Sequence, residues 1–259
     1  MLFLLSPAKT LDYESPLSDL PHTLPDMADA SAELIAVLKR KKQAQIAELM
    51  SLSDALSQLN VQRYKAWSPQ FTAANSRHAV LAFNGDVYEG LDAKTLKPSQ
   101  LEWAQGHVRI LSGLYGVLRP LDWMQPYRLE MGTALETPRG RNLYQFWGER
   151  IAQALNEEQA SDKQAVIVNL ASQEYFKAVD RKALRARVVT CEFEDHKSGQ
   201  YKVISFFAKR ARGLMARYAI THRVKTVAAL KGFDSEGYAF APEVSDDDHL
   251  VFRRHQSGS

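Results

Sequence analysis

The sequence predicts a mixed α/β fold: one domain with a central mixed β-sheet flanked by helices. Three observations predict it. Short apolar runs at Leu2–Leu5, Val108–Leu111 and Val166–Leu170 each end in a polar or glycine-bearing loop, as buried strands do. Stretches with apolar residues at helical spacing separate these runs, as crossovers between parallel strands require. Arg187–Glu194 and Gln200–Phe207 alternate in polarity around Lys197-Ser198-Gly199, which reads as an antiparallel hairpin and makes the sheet mixed.

Taken in order, Met1–Leu5 is a buried strand stopped by Ser6-Pro7, and Pro16, Pro21 and Pro25 keep the following stretch extended. From Ser31 to about Trp67 the pattern is helical, through Leu34, Ile35 and Leu38, then Ile46, Leu49 and Met50, then Leu56 and Leu59. Asn75 and Ser76 are placed to cap a short helix leading to Phe83. Pro98-Ser99 opens a helix over 98–107, followed by a strand at His107–Leu111. Leu143 to Leu155 is helical in pattern, Ala165–Leu170 is the clearest buried strand, and Ala208 to Arg223 returns to helical spacing. No stretch has the composition of a linker, so 1–259 reads as a single domain.

A chain of 259 residues with 45% hydrophobic and 24% charged residues can build a substantial core. It has no run of 18 apolar residues and no signal-peptide pattern, so no membrane association is expected. The lone cysteine, Cys191, excludes an internal disulfide and fits a reducing, cytoplasmic setting. Lying in a predicted strand, it is expected to be inert core. The net charge of +3 is unevenly spread: residues 177–225 carry 13 Lys/Arg against 4 Asp/Glu, a local +9. Such a segment points to a basic face for an anionic partner.

In α/β sheets, ligands gather beyond the carboxyl ends of strands. If the three apolar strands are parallel neighbours, Lys9, the Ser112-Gly113 backbone and Ser172 with Glu174 share one crevice. Arg128 and Glu130 alternate with Tyr127 and Leu129, as a salt-bridged pair or as ligand contacts. Ser205 to Arg217 is the densest basic signal, with Lys209, Arg210, Arg212 and Arg217 within one predicted strand-to-helix passage. Lys209 and Arg212, three apart, fall on one helical face. Asp246-Asp247-Asp248-His249 reads as a solvated loop. There is no Walker A sequence, no G-x-G-x-x-G, no G-x-S-x-G and no metal-ligand spacing of His or Cys, so no metal or cofactor is expected. Ile46 to Leu56 has the outline of a degenerate helix-hairpin-helix at about 44–67, with Ser51 and Ser53 where that motif has glycines.

The ordered set of Ser6-Pro7-Ala8-Lys9-Thr10, Phe83-Asn84-Gly85-Asp86-Val87-Tyr88, Leu111 to Pro120, Pro126 to Met131, Asn169-Leu170-Ala171-Ser172 with Glu174-Tyr175, and Ala208-Lys209 with Ala211-Arg212-Gly213 resembles the YaaA family of bacterial peroxide-stress proteins. The resemblance runs from Met1 to about Arg254. It implies a family-specific mixed fold with a positively charged cleft, DNA binding through that cleft and a helix-hairpin-helix, and a role in limiting damage by hydrogen peroxide. On this reading Lys9, Arg109, Arg119, Arg128, Lys209, Arg210, Arg212 and Arg217 neutralise phosphates, with Ser51 and Ser53 at the hairpin. Tyr and Trp side chains are available to stack on bases, and binding is weakly sequence-specific. The protein is expected to act on DNA, duplex or branched, as a monomer. The mixed charge of the crevice sets a second expectation, an enzyme for a small anionic or nucleotide-like ligand. There Glu130 or Glu174 would be a general base and Lys9 an electrostatic or nucleophilic group, with no recognised catalytic motif to name the reaction.

Overall fold

The computed structural model describes residues 1–255. Its main sheet has eight strands: β1 (Leu2–Leu5), β2 (Val108–Ser112), β3 (Gly116–Leu118), β4 (Val166–Leu170), β5 (Arg187–Lys197), β6 (Gln200–Lys202), β7 (Tyr238–Phe240) and β8 (His249–Arg254). The spatial order is β7-β8-β5-β4-β1-β2-β3, with β6 paired to β5. The five central strands, β8, β5, β4, β1 and β2, are all parallel, while β3, β6 and β7 are antiparallel additions. The three apolar runs are therefore parallel neighbours, with Phe3 opposite both Val108 and Val168. Every residue of β1 is buried, consistent with its unbroken apolar run at the centre of a sheet covered on both faces.

The helices are α1 (Ala28–Lys39), α2 (Gln43–Met50), α3 (Asp54–Ala66), α4 (Asp86–Leu91), α5 (Pro98–His107), α6 (Leu143–Trp147), α7 (Arg150–Glu158) and α8 (Ser205–His222). The helical stretch expected from Ser31 to Trp67 is three helices. Ser51 adopts a left-handed φ of 51° and breaks the second from the third. The helix expected from Leu143 to Leu155 is likewise two, separated at Gly148, whose φ is 50°. Between Asn75 and Phe83 the helix shrinks to Ala79–Ala82, capped at His78 rather than at Asn75 or Ser76.

Two departures lie near the carboxyl end. The second hairpin strand stops at Lys202, and α8 already begins at Ser205, so Phe206 and Phe207 are helical rather than extended. The solvated loop expected at 246–249 leads directly into β8, which pairs in parallel with β5 from His249 opposite Thr190 to Arg254 opposite Asp195.

Helices α4 and α8 cross with their backbones almost touching. A Cβ added at Gly213 would lie 1.8 Å from the Val87 carbonyl oxygen, and one at Gly90 would lie 2.2 Å from that of Arg210. Only glycine at both positions allows this approach.

Cys191, inside β5, is buried, and burial pushes its thiol up to about 12. The native thiol should not react with a thiol-specific reagent at pH 8, whereas the urea-unfolded chain should react with one equivalent. Because the folded value is the higher, this group's contribution to stability is intact below about pH 8.5, where the unfolded thiol begins to ionise. It is lost as pH rises from there toward about 12.

Candidate functional site

In the chain, β1 is followed across the sheet by β2 on one side, and β4 by β5 on the other. The gap beyond the carboxyl ends of β1 and β4 is therefore the point where the winding reverses, the usual position of a ligand crevice in a parallel sheet. A cleft of about 410 Å³ lies there, between the loop Ser6–Thr10, the start of α4, the segment at Glu130, the turn Ser172–Tyr175 and the first turns of α8.

Its floor is fixed by two serines. Ser6 Oγ accepts the Ser172 backbone N–H at 2.8 Å, and the two hydroxyls lie 3.3 Å apart. Ser172 caps the short helix Gln173–Phe176, and the Tyr88 hydroxyl donates to the Ser6 carbonyl at 3.0 Å. Two strand-end loops and helix α4 are thereby laced together.

The charged groups follow. Glu130 Oε1 accepts from Arg128 Nη2 at 2.9 Å and Nε at 3.1 Å, and Lys9 Nζ lies 3.5 Å from the same oxygen. The Lys9 side chain is 68% exposed, whereas that of Glu130 is 18% exposed, so the lysine covers the carboxylate and faces solvent. Glu130 Oε2 is sealed within the protein with no hydrogen-bond partner among the described residues. Glu174 Oε1 accepts the Gly132 N–H at 2.9 Å, and the Tyr144 hydroxyl donates to the Glu174 carbonyl. Tyr175 lines the cleft with its ring buried. Burial raises its hydroxyl pKa above the usual phenol range, and the Glu174 and Glu130 charges add to that.

From α8, Lys209 is exposed and Arg212 half-buried on the cleft wall. Arg212 donates to no protein acceptor among the described residues, unlike the other arginines discussed below. Burial lowers its guanidinium pKa, a cost partly countered by the Glu192 charge. It stays protonated nonetheless.

The structure thus brings together Lys9, Glu130, Glu174, Lys209 and Arg212, with Arg128 behind Glu130. Four other arginines are elsewhere. Arg109 is buried, its Nε shared between both Glu158 carboxylate oxygens at 2.9 and 2.7 Å, with Nη1 on the Gln105 and Val108 carbonyls. The expectation that it meets phosphate does not suit a guanidinium consumed inside the fold. Arg119 bonds Leu24, Asp26 and Asp122, Arg210 chelates Glu236, and Arg217 donates to the Leu91 and Asp92 carbonyls. None of these four lines the cleft.

Ser6, Thr10, Asn84 and Asp86 also line the cleft; the sequence marked them only as parts of motifs and gave them no role. The signal was present in the Asn84-Gly85-Asp86 turn between two aromatics. Gly85 has a φ of 154° and passes beside Ala8, which lets the turn close against the lysine loop.

Beside the cleft, α2 and α3 are joined by Ser51, Leu52 and Ser53. Ser53 Oγ accepts the Leu56 N–H at 3.4 Å as the cap of α3, and both serines are exposed. The buried Tyr64 of α3 donates to the Arg128 carbonyl and lies 3.9 Å from Met50 Sδ at the end of α2. The hairpin is therefore anchored to the segment that carries Arg128 and Glu130.

Fold and crevice together define a mixed α/β protein with a charged pocket at its topological switch point. Compared with known proteins, residues 1–244 match the family model described as "Peroxide stress protein YaaA". A UPF0246 protein of a Polaromonas species is 67% identical over 257 residues, 99% of this chain and 100% of the relative. Those of Polaromonas naphthalenivorans and Bordetella pertussis are 68% identical over 256 residues and 66% over 257, covering 99% of this chain and at least 99% of each relative. The chain belongs to the YaaA family of peroxide stress proteins. No helix among the described residues is long and apolar enough to cross a membrane.

Proposed function

We propose that the protein binds DNA, duplex or branched, through its phosphate backbone, as a monomer and with little sequence preference, and so limits damage during peroxide stress. Arg212 carries the reading. A half-buried guanidinium without an acceptor of its own is costly to hold unless an anion completes it, and a phosphate accepts its planar fork of donors. Lys9 and Lys209 offer exposed ammonium groups around it. The 51–53 hairpin, tied to the same face through Tyr64, adds the backbone N–H groups at the start of α3 as phosphate donors that read no sequence.

A fluorescent duplex titrated across a salt series tests this. Affinity should fall steeply with salt, and Lys209→Ala/Arg212→Ala should weaken binding and reduce the log–log salt slope by about 2. A slope unchanged by the double variant would sink the reading.

The carboxylates favour a second reading, catalysis on a small anionic substrate, because a phosphate clamp gains nothing from Glu130 and Glu174 beside its cations. Within the same titration, Glu130→Gln and Glu174→Gln separate the two. A clamp should bind DNA as well or better, whereas an enzyme loses turnover without gaining affinity.

A further inference from the structure

We infer that the crevice receives a single nucleotide of the bound DNA, turned out of its stack, with phosphate on Lys209 and Arg212 and the base edge on Asn84, Asp86 and Glu174. The inference rests on the DNA reading above and deepens it.

Size is the first support. At about 410 Å³ the cleft lies low in the range of small-ligand sites, roughly 300–1,000 Å³, and a recess of that size admits a nucleotide but no double helix. A duplex lying over the protein could touch only its rim.

The second support is the division of its lining by sign. Lys9, Lys209 and Arg212 are cationic, while Asp86, Glu174 and Asn84 are acceptor-bearing. Phosphate alone would be repelled by the latter group. A base presents what phosphate lacks: adenine, guanine and cytosine each carry an exocyclic amino donor. The side chains of Asn84 and Asp86 make no hydrogen bond among the described residues, and only Oε1 of Glu174 is used, by Gly132. These acceptors are free for such donors. Extruding a base exposes its pairing edge, which a duplex hides.

The third is an apolar ring left largely to solvent, with Phe207 edge-on at 5.4 Å beside it. Phe206 is 54% exposed one helical turn ahead of Lys209, close in sequence to Val203 at 47% and Tyr201 at 36%. Apolar side chains of this kind enter the gap that an unstacked base leaves. Phe206 is placed to hold the stack open while the nucleotide occupies the cleft.

The test uses a duplex carrying 2-aminopurine, whose emission rises when it leaves the stack, alongside fluorescein anisotropy of the same duplex to report binding. Wild-type protein should raise 2-aminopurine emission severalfold at saturation. Phe206→Ala and Glu174→Gln should each lose most of that rise while affinity changes by less than about tenfold. Binding by anisotropy without a change in emission overturns nucleotide capture and leaves the DNA reading standing. A rise retained in full by both variants overturns the assignment to this crevice. Absence of binding by either probe removes both readings.

Discussion

Gly213→Ala should melt about 10 °C below the parent protein when followed by circular dichroism. The added methyl meets the Val87 carbonyl oxygen at 1.8 Å, and the reciprocal contact, Gly90 on the Arg210 carbonyl, leaves only 2.2 Å. Both obstacles are backbone, so no side chain can rotate out of the way. The helices α4 and α8 must separate, and overpacking without relief costs about 3 kcal/mol or more. In a chain of this length each kcal/mol lowers the melting temperature by roughly 2–4 °C. A second readout is functional. Asp86 and Val87 of α4 and Lys209 and Arg212 of α8 line one cleft, so spreading the crossing should also weaken the DNA binding proposed for it. A variant that melts within about 2 °C of the parent would show that the helices do not meet this way.

The other large effect is expected at Asp195. This carboxylate, fully buried at the end of β5, accepts Arg254 Nε on Oδ1 at 2.7 Å and the Tyr238 hydroxyl on Oδ2 at 2.8 Å. Arg254 lies opposite Asp195 in the sheet register and Tyr238 opposite Arg254, so one carboxylate joins β5, β8 and β7. The guanidinium also stacks 4.5 Å from the Tyr238 ring centre and 4.9 Å from that of Phe207, in the first turn of α8. Asp195→Ala strands a largely buried cation and a phenol. Removing one partner of such a pair costs 3–5 kcal/mol, and the remaining Glu236, 3.6 Å from Arg254 Nη1, places the expected loss near the lower figure, about 3 kcal/mol. Urea denaturation should show a lower midpoint with an unchanged slope. Asp195→Asn, which keeps the shape and one of the two acceptor oxygens, should lose less. Equal losses would mean that the charge carries the contribution and that shape and the retained acceptor add little at this position.

Much of this architecture can be read from the residues, and the reasons are specific. β1 and β4 are nearly unbroken apolar runs ending at Ser6-Pro7 and Ala171-Ser172, the pattern of strands buried on both faces. β8 is the converse. His249, Arg253 and Arg254 flank an apolar centre of only three residues after three aspartates, and its pairing depends on Asp195 and Glu194, which sit more than fifty residues earlier. The start of α8 misleads for another reason. Val203-Ile204-Ser205-Phe206-Phe207 has β-branched and aromatic character, and Ile204 gives no side-chain cap. The helix begins there because packing of its later turns outweighs local propensity.

The crevice divides the same way. Lys9, Glu130, Glu174 and Arg212 could be grouped because each stands in a loop or helix start that follows a predicted strand or its neighbour. Arg109, Arg119, Arg210 and Arg217 counted equally toward a basic face, but their partners Glu158, Asp26, Glu236 and Asp92 are supplied by folding. Charge counting cannot tell a cation offered to solvent from one already spent.

The strand order has a bearing on how the protein is made. β1 precedes both of its sheet neighbours by a hundred residues or more, for they begin at Val108 on one side and Val166 on the other. Until then Leu2-Phe3-Leu4-Leu5 has no ladder to join. Any nascent or truncated chain ending before residue 108 therefore carries an unpaired apolar edge, and a topology dominated by such distant pairings folds slowly. The arrangement that puts the crevice at the centre of the sheet also leaves that centre open until Val166–Leu170 has been made, so the young chain needs protection from aggregation until then.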